Sequence, residues 1–519
     1  MKSVSSNFFF INNIKINNVE KNRNIIDYIE NLDIKIPHYC YYPKLSVSGN
    51  CRMCLVELKN SPKPLVSCAM IITNKMEIYT DSPLVKKSRE NVLEFLLLNH
   101  PLDCPICDQG GECDLQDQSM VFGINKKRFY NYKRSVTNKN LGPIVKTVMT
   151  RCIHCTRCVR FAKEIAGVED LGMFGRGYKS EIGTYVSKMF DSELSGNIID
   201  ICPVGALTVK PYSFVDRNWE LTSIISTDFS DSFGLNINVL LKTNSSIAKI
   251  QPYYNKQYLF NNWISNKTRF SFDGMFSPEK LTTIGFSSLK LKPNSWGKVF
   301  KEIINILFFH NHLNNYYFST NKLTFLVGES LDLESLTVLY LLKKKYSFIN
   351  ICKLNKYCIN CDLENNFLTN FTDKEIFFNK SNFCILIGVN PRFDSPSLNI
   401  KLKQRVLQGN FKIYTINSVL DLTYKYKNLG NSVKVLKSIC EGNHYICQEL
   451  INSKNPLILY NPELIKKDSF NVYLNHLYNS VSIKKQNWLS LNCINKTLTE
   501  SNINYINSFT LFKKKCRTR

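Results

Sequence analysis

The sequence predicts an α+β N-terminal half made of small units, followed by an α/β half. Two observations carry this reading. Eleven of the nineteen cysteines lie before residue 220, in a stretch that reads as short strands, turns and helices. After residue 290 the texture changes to short apolar strands alternating with amphipathic helices, the pattern of a largely parallel sheet with helices on its faces. At 519 residues the chain is too long for one compact core and should hold roughly two to four domains.

The opening segment reads as strands and turns. Phe8 to Ile16 is expected to form a hairpin across Asn12-Asn13, and Asn24 to Asn31 a short helix. Leu55 to Leu58 and Glu77 to Tyr79 read as strands. Asp81-Ser82-Pro83 closes this unit, and Ser88 to Leu98 has a helical period that leads to His100. In the second half, Trp296 to Phe309 and Leu333 to Lys344 read as amphipathic helices. Leu323 to Val327, Cys384 to Val389, Lys412 to Ile416 and Leu457 to Tyr460 read as strands. No internal repeat at a solenoid period is present.

Composition narrows the class. Hydrophobic content of 44% with 12% aromatics is that of a folded protein. The formal charge of +25 is largely lysine spread along the whole chain, which reads as a solvated basic surface rather than a nucleic-acid groove. No nucleic-acid-binding motif accompanies it. No run approaches the ~18 apolar residues of a membrane span. The N-terminus has neither the look of a secretory signal nor that of a transit peptide. The clustered C-x-x-C pairs point to metal in a reducing compartment rather than to disulfides. A bacterial cytoplasm and an organelle with its own genome both fit.

Twelve side chains in the first 202 residues fall, in chain order, into three sets of four. The first is Cys40, Cys51, Cys54 and Cys68. Its close C-x2-C and one distant Cys match the way a plant-type [2Fe–2S] ferredoxin gathers thiolates, with a longer gap before Cys51. Ser46 to Asn50 supplies small residues where backbone N–H groups must approach sulfur, and Arg52 adds a positive charge. A zinc site of four cysteines is the bland alternative.

The second set is His100, Cys104, Cys107 and Cys113. Three cysteines within ten residues leave one ligand missing, and His100 is the nearest candidate. Gly110 and Gly111 permit the tight wrap. A zinc site of three cysteines and one histidine remains the alternative here. The third set, Cys152, Cys155 and Cys158 with Cys202-Pro203 far downstream, has the bacterial [4Fe–4S] pattern and its trailing proline. His154 lies inside the run, but the set is complete without it.

These segments carry a resemblance. Gly49 to Cys54, His100 to Cys107, Arg151 to Phe161 and Ser192 to Leu207 look like the large iron–sulfur subunit of respiratory complex I. A thinner likeness continues through residues 262–270 and 385–393, in a half that is similar to molybdopterin oxidoreductases without their cofactor. The resemblance implies four units. A [2Fe–2S] β-grasp ferredoxin-like domain covers 1–83, and a small helical [4Fe–4S] domain with one histidine and three cysteine ligands covers 84–123. A [4Fe–4S] domain with four cysteine ligands over 124–220 and a degenerate molybdopterin-oxidoreductase-like α/β domain over 221–519 complete it. The resemblance implies one [2Fe–2S] and two [4Fe–4S] clusters, with no molybdopterin, NAD or flavin on this chain. The extra [4Fe–4S] cluster of some bacterial members is not expected, since no cysteine stands between Cys202 and Cys352.

The function so implied is electron transfer within the peripheral arm of a proton-pumping NADH:ubiquinone oxidoreductase. The partners would be the flavin-binding subunit and the quinone-proximal iron–sulfur subunits. The place would be the matrix side of the mitochondrial inner membrane or, alternatively, the cytoplasmic face of a bacterial plasma membrane. No catalytic residue is expected. The rivals are an iron–sulfur subunit of a hydrogenase or formate dehydrogenase complex and a zinc-stapled scaffold. Cysteines 352, 358, 361, 384, 440, 447, 493 and 516 supply no set for a hydrogenase cluster, and Cys358 and Cys361 read as an incidental pair. Neither a G-x-G-x-x-G nor a Walker loop is present.

Overall fold

A computed structural model describes residues 8 to 494 apart from 18–22, 127, 212–215, 229, 232–233, 245, 255–262, 281–283, 288–290, 313–322, 329, 347, 354–356, 359–379, 462–467 and 485–490. Cys361 and Cys516 therefore lie outside the described residues.

The chain opens with the expected hairpin. Strands β1 (Phe8–Ile11) and β2 (Ile14–Asn17) pair antiparallel across Asn12 and Asn13, whose φ values of 48° and 71° give the left-handed turn that matches strand twist. Helix α1 (Ile25–Glu30) buries Ile25, Ile26 and Ile29 against Phe9, Ile11, Val56 and Ile78. Strands β3 (Leu55–Leu58), β4 (Leu65–Val66) and β5 (Glu77–Tyr79) complete a sheet of order β2-β1-β5-β3-β4, in which β1 and β5 run parallel. One helix gripped by a mixed sheet is the β-grasp arrangement expected here.

Helix α2 starts at Pro83, five residues before the start expected from its apolar period, and runs to Leu98. The reason is local. Ser82 accepts from the Val85 N–H and Pro83 occupies the first turn, where its missing N–H costs nothing. Arg89 on α2 donates to the Leu55 carbonyl at 3.0 Å, fixing the helix to β3. The end of α2 at Asn99 places His100. Helix α3 (Asp114–Phe122) comes next, with Cys113 as its N-cap residue.

Beyond α3 lies a packed knot of short elements around Phe161, Ile198, Leu194 and Trp263. Helix α4 (Arg157–Phe161) runs directly into a π-helical turn, Ala162–Ala166, closed by Gly167 at φ 78°. Residues 222–252, placed in the α/β half by sequence, instead form a three-stranded antiparallel sheet of Thr222–Thr227, Asn236–Leu241 and Ile247–Pro252. Its first strand is exposed at all six residues, so it carries no in–out alternation by which sequence could mark it.

The expected parallel sheet is present. Its order, by strand, is Lys427–Gly430, Lys412–Ile416, Phe383–Ile387, Pro456–Tyr460 and Leu491–Cys493, all parallel. Phe383–Ile387 ends two residues before the expected Val389, because Gly388 turns at φ 62°. The two central strands are buried at every residue: Phe383, Ile385 and Ile387 pack into one apolar cluster, Cys384 and Leu386 into another. Burial on both faces is why these strands read as continuous apolar runs.

Candidate metal centres

The first set lies on the loop between α1 and β3 and on the chain just after β4. The Cys40 thiol is within hydrogen-bonding reach of Cys51 and Cys68, and Cys54 of Cys68, so all four sulfurs gather. Gly49 at φ 65° lets the loop fold back until the Asn50 and Cys51 N–H groups meet the Cys40 sulfur. In return the Cys40 N–H donates to Cys51 Sγ at 3.4 Å. The Cys51 and Cys68 thiols, helped by the Cys51 and Asn50 N–H groups, hold the Cys40 thiol well below its usual range, and the Cys68 contact brings Cys54 down to about 7. Cys68, donor to both, is pushed up. Backbone N–H groups aimed at sulfur are what a thiolate cluster needs. Arg52, expected to add a positive charge here, is exposed.

The second set comes after α2. Cys104 opens a short 3-10 turn and is exposed, whereas Cys107 and Cys113 are buried and interact electrostatically. The Leu115 and Gln116 N–H groups at the start of α3 face the Cys113 sulfur. Gly111 turns at φ 90°, as the spacing required, while Gly110 and Gly205 serve by closeness. A Cβ on Gly205 would stand 2.2 Å from Cys107 Sγ. Burial, with the charges of Lys133 and Arg151, lowers the His100 pKa to about 4. The ring is thus neutral at neutral pH. Its Nδ1 is buried without a hydrogen-bond partner, and the Arg151 backbone holds the ring. An orphaned imidazole nitrogen on an oriented ring fits a metal ligand.

The third set lines a cavity. Cys152, Cys155, Cys158 and Cys202 share this small cavity with Met149, Ile182 and Leu207. His154 and Thr156 adopt φ 55° and 62°, turning the run around its cysteines, and the His154 N–H donates to Cys152 Sγ at 3.4 Å. The His154 ring faces Arg134 at 3.2 Å. Burial pushes Cys152 up to about 11 and Cys202 up to about 12, and raises Cys155 and Cys158 as well. Such thiols ionise when a metal supplies the missing positive charge.

Sequence reasoning missed the arginines around these sets. Arg157 donates to the carbonyls of Tyr41 at 2.7 Å and Ile201 at 3.2 Å, neighbours of Cys40 and Cys202. Arg151 joins Asp103, beside Cys104, to the Gly205 carbonyl. Arg217 clamps the carbonyls of Pro105, Cys107 and Gly110. Arg217, spent on carbonyls, keeps its charge available to an anionic centre, whereas Arg151 is paired with Asp103 and Arg157 lies 3.8 Å from Asp114. The signal was in the sequence: arginines 151, 157 and 160 interleave with cysteines 152, 155 and 158.

The later segments reach back to the loop before Cys202. Asn266 bonds Ser192, Ser195 and Gly196, and Arg269 forms a two-fold pair with Asp200. Arg392, after strand Phe383–Ile387, pairs with Glu193. These are the two stretches where the resemblance is thin, and both hold the segment that leads to Cys202.

All three sets border one apolar cluster. Cys40, Cys51, Cys113, Cys152, Cys155 and Cys202 share it with Tyr39, Met53, Leu93 and Val204.

Comparison with known proteins gives the domain families of these segments. Family models match in chain order: a 2Fe-2S iron-sulfur cluster binding domain over 9–83, and the NADH-ubiquinone oxidoreductase-G iron-sulfur binding region over 89–128. The NADH-quinone oxidoreductase subunit 3 ferredoxin-like domain matches 142–208. The NADH-ubiquinone oxidoreductase NDSU1/NuoG-like 4Fe-4S domain matches 221–273, and molybdopterin oxidoreductase 288–509. Residues 221–273 contain neither Cys nor His.

The chain is 45% identical to the NADH-ubiquinone oxidoreductase 75 kDa subunit of Reclinomonas americana, over 92% of this chain and 70% of the relative. It is 43% identical to NADH dehydrogenase [ubiquinone] iron-sulfur protein 1, mitochondrial, of Solanum tuberosum, over 87% and 60%. With an NADH-quinone oxidoreductase subunit of Rickettsia bellii the identity is 39%, over 89% and 66%. The chain thus spans 60% to 70% of the length of these relatives. A solved NAD+-reducing [NiFe]-hydrogenase chain matches 41% of this chain and 91% of its own at 27% identity, with a TM-score of 0.38.

Proposed function

The chain belongs to the family of the NADH-ubiquinone oxidoreductase 75 kDa subunit, an iron–sulfur electron-transfer subunit of an oxidoreductase complex, and on that premise we propose that it carries three clusters. A [2Fe–2S] cluster is held by Cys40, Cys51, Cys54 and Cys68. One [4Fe–4S] cluster is held by His100, Cys104, Cys107 and Cys113, and a second by Cys152, Cys155, Cys158 and Cys202. The units bearing them are 1–83, 84–123 and 124–220, and the remainder, 221–519, binds no molybdopterin.

The observation that carries this reading is the single apolar cluster bordered by all three ligand sets. When bound, the clusters supply one-electron oxidation and reduction. The chain's own work is different. The thiols and His100 hold iron, and buried Leu93, Met53 and Val204 exclude water from the space between sets. Arg151, Arg157 and Arg160 offset negative charge. Excluding water reduces the solvent rearrangement that accompanies each electron.

The proposed partners are the flavin-binding subunit, as electron source, and the quinone-proximal iron–sulfur subunits, as recipients. No helix among the described residues is long and apolar enough to cross a membrane. Attachment through partners to the matrix side of the mitochondrial inner membrane is therefore the proposed location. The mitochondrial relative from Solanum tuberosum supports it, whereas the Rickettsia relative fits the alternative, the cytoplasmic face of a bacterial plasma membrane.

Anaerobic metal analysis tests the reading. About ten irons per chain are expected, from two plus four plus four. Stoichiometric zinc would remove one set from the proposal. Cys155→Ser should abolish one four-iron signal in electron paramagnetic resonance and leave the other signals in place.

A further inference from the structure

Arg160 touches ligand residues from two different sets. Its Nη2 donates to the carbonyl oxygens of Cys40 and of Cys155, the latter at 3.3 Å, and its Nη1 donates to the carbonyl of Ser46. Cys40 belongs to the first set and Cys155 to the third. The side chain is half-buried, and its Nε has no hydrogen-bond partner. Both the Cys40 and the Cys155 sulfurs lie within its electrostatic reach; Glu164 adds an opposing charge and Arg157 a like one.

We propose that Arg160 is a positioning residue that sets the reduction potentials of the first and third sites together, as one cation shared between them. The proposal rests on the reading that both sets hold clusters. An electron arriving at either site adds one negative charge and breaks no bond. A positive charge fixed between the sites favours the reduced form of both. Because Nη2 bonds a ligand residue of each site and Nη1 is tied to Ser46, the guanidinium cannot move toward one site without leaving the other. Passage of one electron between the sites oxidises one and reduces the other, with no proton involved. The shared charge is bonded to a ligand residue of each site, so it raises the two potentials together and changes their difference little.

The test is redox titration by electron paramagnetic resonance of the full cluster-bearing chain, unsubstituted and as Arg160→Gln and Arg160→Lys. In Arg160→Gln both midpoints should fall by comparable amounts, with iron content and both line shapes retained. In Arg160→Lys, which keeps the charge, both should stay close to the unsubstituted values. A shift of only one midpoint, or of neither, in Arg160→Gln overturns the proposal. Should Arg160→Gln lose iron, Arg160→Lys decides, and separation of its two midpoints overturns the proposal. A merely structural role would change iron content or line shape without a joint shift. If the unsubstituted chain holds no iron, the cluster reading itself fails and this inference with it.

Discussion

Arg392 donates through Nε to Glu193 Oε2 at 2.9 Å across 199 positions of sequence, and both side chains are only 10% exposed. The pair ties the parallel-sheet half to the loop that delivers Cys202. Arg392 is itself braced by Asp421, on the exposed side, at 2.6 Å.

Removing one partner leaves the other buried and unpaired, at a cost of about 3 kcal/mol. Arg392→Ala should therefore release the third cluster at lower urea than the first, read from the visible absorbance and resonance signals of each. Glu193→Gln keeps a hydrogen-bond acceptor and should have a smaller effect. Equal urea sensitivity of the two clusters in Arg392→Ala would show that this pair does not govern the Cys202 loop.

Gly205→Ala tests how closely the second and third sets are packed. The added methyl would stand 2.2 Å from Cys107 Sγ and 3.0 Å from Gln109 Cβ, so Cys107 must move. Overpacking of this kind costs typically about 1–3 kcal/mol. The expected result is selective loss or distortion of the proposed second cluster's signal, although Gly205 lies just beyond Cys202, a proposed ligand of the third. An unchanged second signal would mean that Cys107 is not a ligand.

Lys403 gives the pH prediction. It is buried, its Nζ donates to the Lys163 carbonyl at 2.8 Å, and burial lowers its pKa to about 8 against the partial support of Glu164 and Glu169. The unfolded chain holds this proton up to the ordinary lysine value of about 10.4. Between about 8 and 10.4 the unfolded state thus binds more protons, so stability should rise with pH in that window. Lys403→Met should abolish the rise, as seen in thermal midpoints across the range. A rise that persists in the variant would assign it to other groups.

Legibility in the sequence depended on the range of the interaction. The Asn12-Asn13 turn, the Ser82-Pro83 helix start and the doubly buried strand Phe383–Ile387 depend on neighbours in the chain, and each could be read or nearly read. Spacing also suggested the three sets of four, and the structure brings together the sulfurs of the first and the cysteines of the third. Their supports were not legible. Arg217 on Cys107, Asn266 on Gly196 and Arg392 on Glu193 join residues between 70 and 199 positions apart. No local pattern marks such partners. The strand Thr222–Thr227 escaped for another reason: with both faces exposed, its side chains carry no alternation to detect.

The π-helical turn Ala162–Ala166 has a consequence for how this sequence can change. Glu164 faces Ser46, accepting from its N–H at 2.9 Å, while the adjacent Lys163 carbonyl faces Lys403, and Gly167 leaves room for Thr423 and Lys403 behind it. The spare residue in the wide turn works as a swivel that lets two successive positions look toward opposite halves of the molecule. Deleting it would restore an ordinary helix and rotate the downstream residues by about 100°. Positions 46 and 403 are therefore held by two successive residues of one widened turn.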